Sequence, residues 1–312
     1  MAGRAGRVHG GPAAKVDVVI RPEDEDYARE SLSVGGNPDA CSSFGSVDEL
    51  AFHLMPEVCS GRVSDVESAE GWHSRSLHAL QGGRADFGAV LSKLSGWGAV
   101  RMDADGSFKA TKLGRLASAF YFHPADADAW VGNFTTVFDG GFEENDVAAA
   151  WALGSVPTRR VRGDLGSRRG MVNEFVAALP AGLETRDGSV LASVVWWSVI
   201  GGPSVGPMRN CVLEMREDSG RVISFLGRVD EEVAGWAKSW YFERLSFQAR
   251  HGVSSELVPL RKLPGVGKKL AEALYNAGMR SPEDVVEAAG LGGGVAEEEI
   301  GMAARGMADE LF

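Results

Sequence analysis

The stretch Leu263-Pro264-Gly265-Val266-Gly267-Lys268-Lys269-Leu270-Ala271 constrains the fold of this chain more tightly than any other. A proline-glycine pair with a second glycine two residues on cannot continue a helix, yet helical apolar spacing flanks it on both sides. The pattern predicts two short helices joined by a tight turn, a helix-hairpin-helix. Ser281-Pro282, an N-cap followed by proline at the first helical position, opens the second half of a unit that runs to about residue 290. Glycines at 265 and 267 let the backbone approach an anion closely, and the helix after them offers N–H donors and the positive end of its dipole. Lys268 and Lys269 fall in that first turn. Such an arrangement suits sequence-independent contact with the phosphates of a DNA backbone. A hairpin used only for packing or for a protein contact is the competing reading.

Charge has to be read locally here. The chain of 312 residues carries a net charge of −11, which argues against a surface coated for gripping polyanions. Phosphate contacts are made by patches, however. Arg159, Arg160, Arg162, Arg168 and Arg169 form one basic cluster, and Arg261, Lys262, Lys268 and Lys269 flank the glycine turn. Acidic residues gather elsewhere, at Glu23 to Asp26 and Glu297 to Glu299. The length suits two or three domains. No apolar run reaches the ~18 residues of a membrane span, and no signal-peptide pattern opens the chain. Cys41, Cys59 and Cys211 are odd in number and irregularly spaced, which favours a reducing compartment and makes the cytoplasm the expected location. The histidines and cysteines lack the paired short spacings of a structural zinc site, so no metal is expected.

The order of elements follows from punctuation and periodicity. Lys15 to Ile20 reads as one short apolar strand of an α/β sheet, and Gly35-Gly36-Asn37-Pro38 marks a boundary. Ser46-Val47-Asp48-Glu49 is a capping box opening an amphipathic helix to about Val58. Helical stretches near 65–80 and 84–95 follow. Val100-Arg101-Met102 and Ser107-Phe108-Lys109 then bracket the turn Asp103-Ala104-Asp105-Gly106. Three helices and a hairpin predict a winged helix. From about 123 to 252 the pattern is mainly helical, with breaks at Pro157, Pro180 to Gly182 and Gly201 to Pro203, and Val190 to Ile200 reads as a buried helix. Residues 291–312, with Gly292-Gly293-Gly294 and an acidic run, predict a tail or one weak helix.

Two arginine pairs remain. Arg4 and Arg7 stand three apart on a glycine-punctuated turn, a fork of planar cations suited to a nucleotide's γ-phosphate. No G-x-x-x-x-G-K-[ST] phosphate loop accompanies them. Arg221, Phe225 and Arg228 share helical spacings of four and three, so cations and a flat ring on one face could stack on successive bases of a single strand. An ordinary helix with a mixed surface explains the same spacing.

Taken in order, these features resemble the C-terminal half of a superfamily-two DNA helicase of the Ski-two-like branch, which contains the archaeal fork-repair helicases and HelQ. Met1 to Arg7 is similar to the end of that family's last nucleotide motif. Asn37-Pro38 through Leu50-Ala51-Phe52-His53-Leu54-Met55 to Gly61 resembles the entry to its winged helix. Ala110 to Ser118 followed by Phe120-Tyr121 is similar to the exit. Arg250-His251-Gly252-Val253 through Leu257 resembles the junction with its terminal helix-hairpin-helix. The resemblance implies a mainly α chain: 1–34 a remnant of a RecA-like α/β motor domain, 35–122 a winged helix, 123–255 a helical ratchet-type bundle, 256–290 the helix-hairpin-helix and 291–312 a tail. It further implies an ATP-dependent, 3′-to-5′ helicase acting in fork repair or recombination. ATP and Mg²⁺ would serve the complete enzyme, and this chain alone, inactive without a phosphate loop, would need neither.

Under that resemblance Arg4 and Arg7 are arginine fingers that work only with a partner motor domain, a domain supplied in trans if the enzyme is split. Arg221 takes the place of a ratchet arginine, and Arg228 stands where the family has a tryptophan. Gly265, Gly267, Lys268 and Lys269 hold backbone phosphates, and the partner is single-stranded or forked DNA, with no membrane. Two alternatives stay open: a stand-alone DNA-binding protein with a winged helix and a helix-hairpin-helix, and a non-enzymatic interaction scaffold.

Overall fold

The computed structural model describes residues 22–33, 42, 44–158, 161, 169–185, 188–291 and 294–308. The chain divides into two units, Met1–Ser43 and Phe44–Phe312. In the first, a 3₁₀ turn at Pro22–Asp24 leads into α1 (Glu25–Ser33). Acidic residues at the helix start favour the dipole, and Arg29 pairs with Glu25 one turn back at 2.7 Å. The strand expected at Lys15 to Ile20, the arginines Arg4 and Arg7, and most of the motor-domain remnant lie outside the described residues.

The second unit begins with four helices and a two-stranded hairpin, the order of elements from which the sequence predicts a winged helix. Its first helix, α2 (Val47–Cys59), starts at the predicted capping box, where Ser46 accepts from the Glu49 N–H and Glu49 accepts from the Ser46 N–H. The stretch near 65–80 is two helices, α3 (Val66–His73) and α4 (Leu77–Leu80), and α5 (Phe87–Gly96) follows Asp86 as N-cap. Two three-residue strands, β1 (Val100–Met102) and β2 (Phe108–Ala110), pair antiparallel with Arg101 opposite Lys109. Leu50, Leu54, Val90, Leu94, Val100 and Phe108 close one buried core beneath them. Next, α6 (Lys112–Ala119) turns Leu113 and Leu116 away from that core and into the next one.

That second core belongs to a bundle of α7 (Pro124–Asp139), α8 (Asp146–Gly154), α9 (Arg169–Ala178), α10 (Val190–Val199), α11 (Arg209–Val229) and α12 (Ser239–His251). The apolar run at 190–200 is a buried helix, with Trp196 fully enclosed. Buried polar groups hold the helices in register. Trp130 donates to the Leu153 carbonyl at 3.1 Å, and Asn133 donates to the carbonyls of Ala152 and Ser155.

The hairpin region follows as α13 (Val258–Arg261), α14 (Lys268–Asn276), α15 (Pro282–Ala288) and α16 (Glu297–Gly306). Of the two expectations for the last residues, a tail or one weak helix, the structure has a helix, and it is packed. Ile300 and Ala304 are buried in one cluster with Leu260, Leu263, Val266 and Leu274. Only at Gly301 can α16 pass so close, because a side chain there would run into the Pro264 carbonyl. The described chain is mainly helical, and no described helix is long and apolar enough to cross a membrane.

Candidate nucleic-acid interface

Three buried side chains fix the hairpin. Leu263, Val266 and Leu270 anchor its two limbs in the core, so the glycines between them face outward. The turn is closed by the Val266 N–H donating to the Leu263 carbonyl at 3.1 Å. Arg261 reinforces it by donating to the Val266 carbonyl at 2.9 Å. Gly265 sits at φ +78, a conformation that excludes most side chains. Gly267 is the N-cap of α14 and supplies no side-chain acceptor, so the first-turn N–H groups of α14 have no cap from their own chain end.

The two lysines at this helix start have different surroundings. Lys268 donates to the Gly252 carbonyl at 2.6 Å, capping the C-terminus of α12, and approaches Glu272 at 3.9 Å. Lys269 is exposed and, among the described residues, has no ion pair or side-chain hydrogen bond. Lys268 therefore ties hairpin to bundle, while Lys269 offers an uncommitted ammonium beside uncapped N–H donors. The junction is tightened by Asp146, whose half-buried carboxylate accepts from the Ser255 N–H at 2.8 Å and from Gln248 at 2.9 Å. Burial pushes that carboxyl above the usual range, against the pull of these hydrogen bonds.

The face of α11 is arranged otherwise. Arg221 lies over the Phe122 ring at 4.3 Å, donates to the carbonyls of Phe120 and Tyr121 at 2.8 and 3.3 Å, and pairs with Asp218 at 2.7 Å. It clamps the end of the winged-helix region to the bundle. Arg228 is more exposed and pairs with Glu232 through Nε at 2.6 Å, with Glu231 at 3.9 Å. Phe225 corrects the sequence expectation. It is fully buried against Phe122, Phe120 and Trp130 and presents no ring to solvent. The physical reason is that Phe225 also belongs to the stripe Val222, Phe225, Leu226, Val229, all buried at the same three-and-four spacing.

A groove of about 390 Å³ runs between α11 and α12, lined in part by Ser224, Gly227, Ser239 and Arg250, with carboxylates at Glu231 and Glu243. Among the described residues no group of three or more histidines, cysteines and carboxylates is placed to hold a metal ion.

Comparison with known proteins bears on both regions. A family described as a SAM-like helix-hairpin-helix tandem matches residues 257–300. The ATP-dependent DNA helicase Hel308 of Pyrobaculum calidifontis is 26% identical over 342 aligned positions, covering 100% of this chain and 47% of the relative. Hel308 of Aeropyrum pernix is 24% identical, over 92% of this chain and 41% of the relative. A shorter segment of 48 residues is 52% identical to Hel308 of Thermococcus kodakarensis. Over its length the chain is similar to part of these DNA helicases, and its helix-hairpin-helix region to the tandem family. It spans less than half the length of the relatives it matches.

The helix-hairpin-helix match reaches into α16, beyond the 290 expected from sequence. Three elements of the site escaped sequence reasoning: the Lys268 bond to Gly252, the Phe122 ring beneath Arg221, and the position of Arg305 beside Gly265. The first two join residues 16 and 99 positions apart, and no local spacing signals them. Arg305 had a signal, since Ile300 and Ala304 one turn apart mark a buried helix face, but the glycine run before them masked it.

Proposed function

We propose that this chain is the DNA-handling portion of an ATP-driven, 3′-to-5′ helicase that acts on forked or single-stranded DNA in repair or recombination. The observation that carries the reading is the hairpin, where uncapped N–H groups at the start of α14 stand beside the exposed Lys269. Backbone phosphates take the place of the missing cap there, and sequence is not read. Similarity along the whole chain to proteins named as ATP-dependent DNA helicases supports the motor context.

On this reading ATP and Mg²⁺ act at a motor domain with a phosphate loop, a motif that these 312 residues do not contain. Arg4 and Arg7 face the γ-phosphate there. Of the two α11 arginines, Arg228 contacts the strand, because an ion pair with an exposed carboxylate is worth only about 0.2–1 kcal/mol and a phosphate displaces it. Arg221, held by two carbonyls and a ring, keeps its clamp. Gly265 and Gly267 give the backbone access, and Lys268 contributes field more than contact.

Fluorescence anisotropy with single-stranded, duplex and forked oligonucleotides tests this. Binding should weaken steeply with salt and should favour the single strand or the fork over duplex. Absence of binding at low salt would contradict it, as would DNA-stimulated ATP turnover by the purified 312-residue chain.

A further inference from the structure

The exposed cation nearest the apex of the hairpin comes from the last helix. An ideal Cβ built on Gly265 would stand 2.7 Å from an Nη of Arg305, and 3.0 Å from its Cζ and Cδ. The guanidinium thus lies against Gly265, in the space a side chain would fill. Arg305 is exposed, and its Nε donates to the Gly301 carbonyl at 3.2 Å in its own helix. That bond uses one of its five N–H donors. α16 is held in place by Gly301 against Pro264 and by Ile300 and Ala304 in the hairpin core, so Arg305 is positioned by packing and not by chance of a long side chain.

We propose that Arg305 and Lys269 are the two phosphate-contacting cations of the hairpin, and that Lys268 is not one of them. The inference rests on the DNA-binding reading above. Two observations carry it: Lys268 is tied down by the Gly252 carbonyl and has the Glu272 carboxylate at 3.9 Å to offset its charge, and Arg305 occupies the face that the glycine leaves open. A planar fork over the glycine backbone binds a phosphodiester through two parallel N–H donors, geometry that an ammonium lacks. The positive φ at Gly265 therefore serves Arg305 as well as the approaching strand.

The test is the salt dependence of binding to a forked oligonucleotide for Arg305→Gln, Lys268→Gln and Lys269→Gln, with thermal melting alongside. Removing one phosphate-bound cation lowers the slope of log K against log salt by about 0.7 on single strands to 0.9 on duplex. Arg305→Gln and Lys269→Gln are each expected to show that reduction, and Arg305→Lys to recover it in part. Lys268→Gln should keep the slope and lower the melting temperature. An unchanged slope in Arg305→Gln, with the Lys269→Gln slope reduced, overturns the role of Arg305 and leaves the hairpin as the binding site. Equal reductions in Lys268→Gln and Lys269→Gln also overturn it. Unchanged slopes in all three overturn the DNA-binding reading of the hairpin itself.

Discussion

The hairpin and the face of α11 carry similar numbers of cations and use them in different ways. On α11, Arg221 is engaged by two carbonyls, a carboxylate and a ring, and Arg228 by two carboxylates. At the hairpin, Lys269 has no such partner among the described residues, and Arg305 makes one bond within its helix. Counting positive residues therefore misjudges both regions. What a strand meets is the charge left after the protein's own acceptors are served, and by that measure the hairpin leads. The same contrast bears on a chain with net charge −11, because the charge a polyanion meets is set by which cations are left uncommitted locally and not by the sum.

The contrast can be broken in graded ways. Gly265→Val should have the largest effect, because a β-branched residue at φ +78 is strained and its side chain collides with Arg305. We expect DNA affinity to fall by about tenfold or more, and retained affinity would show that the hairpin is not the grip. Arg221→Ala should instead reduce stability, by about 1–2 kcal/mol for the charged hydrogen bonds and ring stacking it removes, with DNA affinity within about twofold. A large drop in affinity at unchanged stability would make α11 the principal grip and reverse the ranking of the two regions.

Smaller effects sharpen the comparison. Glu232→Gln removes the main partner of Arg228, and single-strand affinity should rise by about two- to threefold if that arginine meets the strand. No change would confine Arg228 to its ion pairs. The smallest effect concerns the winged-helix region, which we assign no direct role in DNA binding. His73 is buried and bonded to His78 at 2.9 Å, and burial, with the neighbouring His78, holds its pKa below the usual 6.5. The unfolded state then binds the proton more readily, so stability is complete above 6.5 and falls as pH drops through the lowered value. Denaturant midpoints at pH 7 and pH 5 should differ for the native chain and differ less in His73→Leu, the remainder coming from groups such as His251, whose pKa burial also lowers. A reduced pH dependence with DNA affinity unchanged would place this region outside the grip.

Much of the fold was legible in the sequence because its signals are local. The capping box at Ser46, the N-cap at Ser281, the turn between β1 and β2, and the largely apolar α10 each rest on residues close together in the chain. The hairpin glycines were legible for the same reason. The allocation of cations was not. Whether Lys268 or Arg305 faces an incoming phosphate depends on Gly252 sixteen residues before one and on Gly265 forty before the other. Phe225 shows a further limit. One spacing of three and four describes both an exposed aromatic-cation face and the adjoining core stripe, and only packing against Phe122 and Trp130 decides between them.

The central claim, that the hairpin is where this chain holds DNA, is tested most directly by titrating a forked oligonucleotide across a salt series with the native chain and with Lys269→Gln. The account predicts weaker binding by the variant at every salt concentration, with a slope shallower by about 0.7–0.9, the signature of one fewer phosphate held. Superimposable titrations would contradict it.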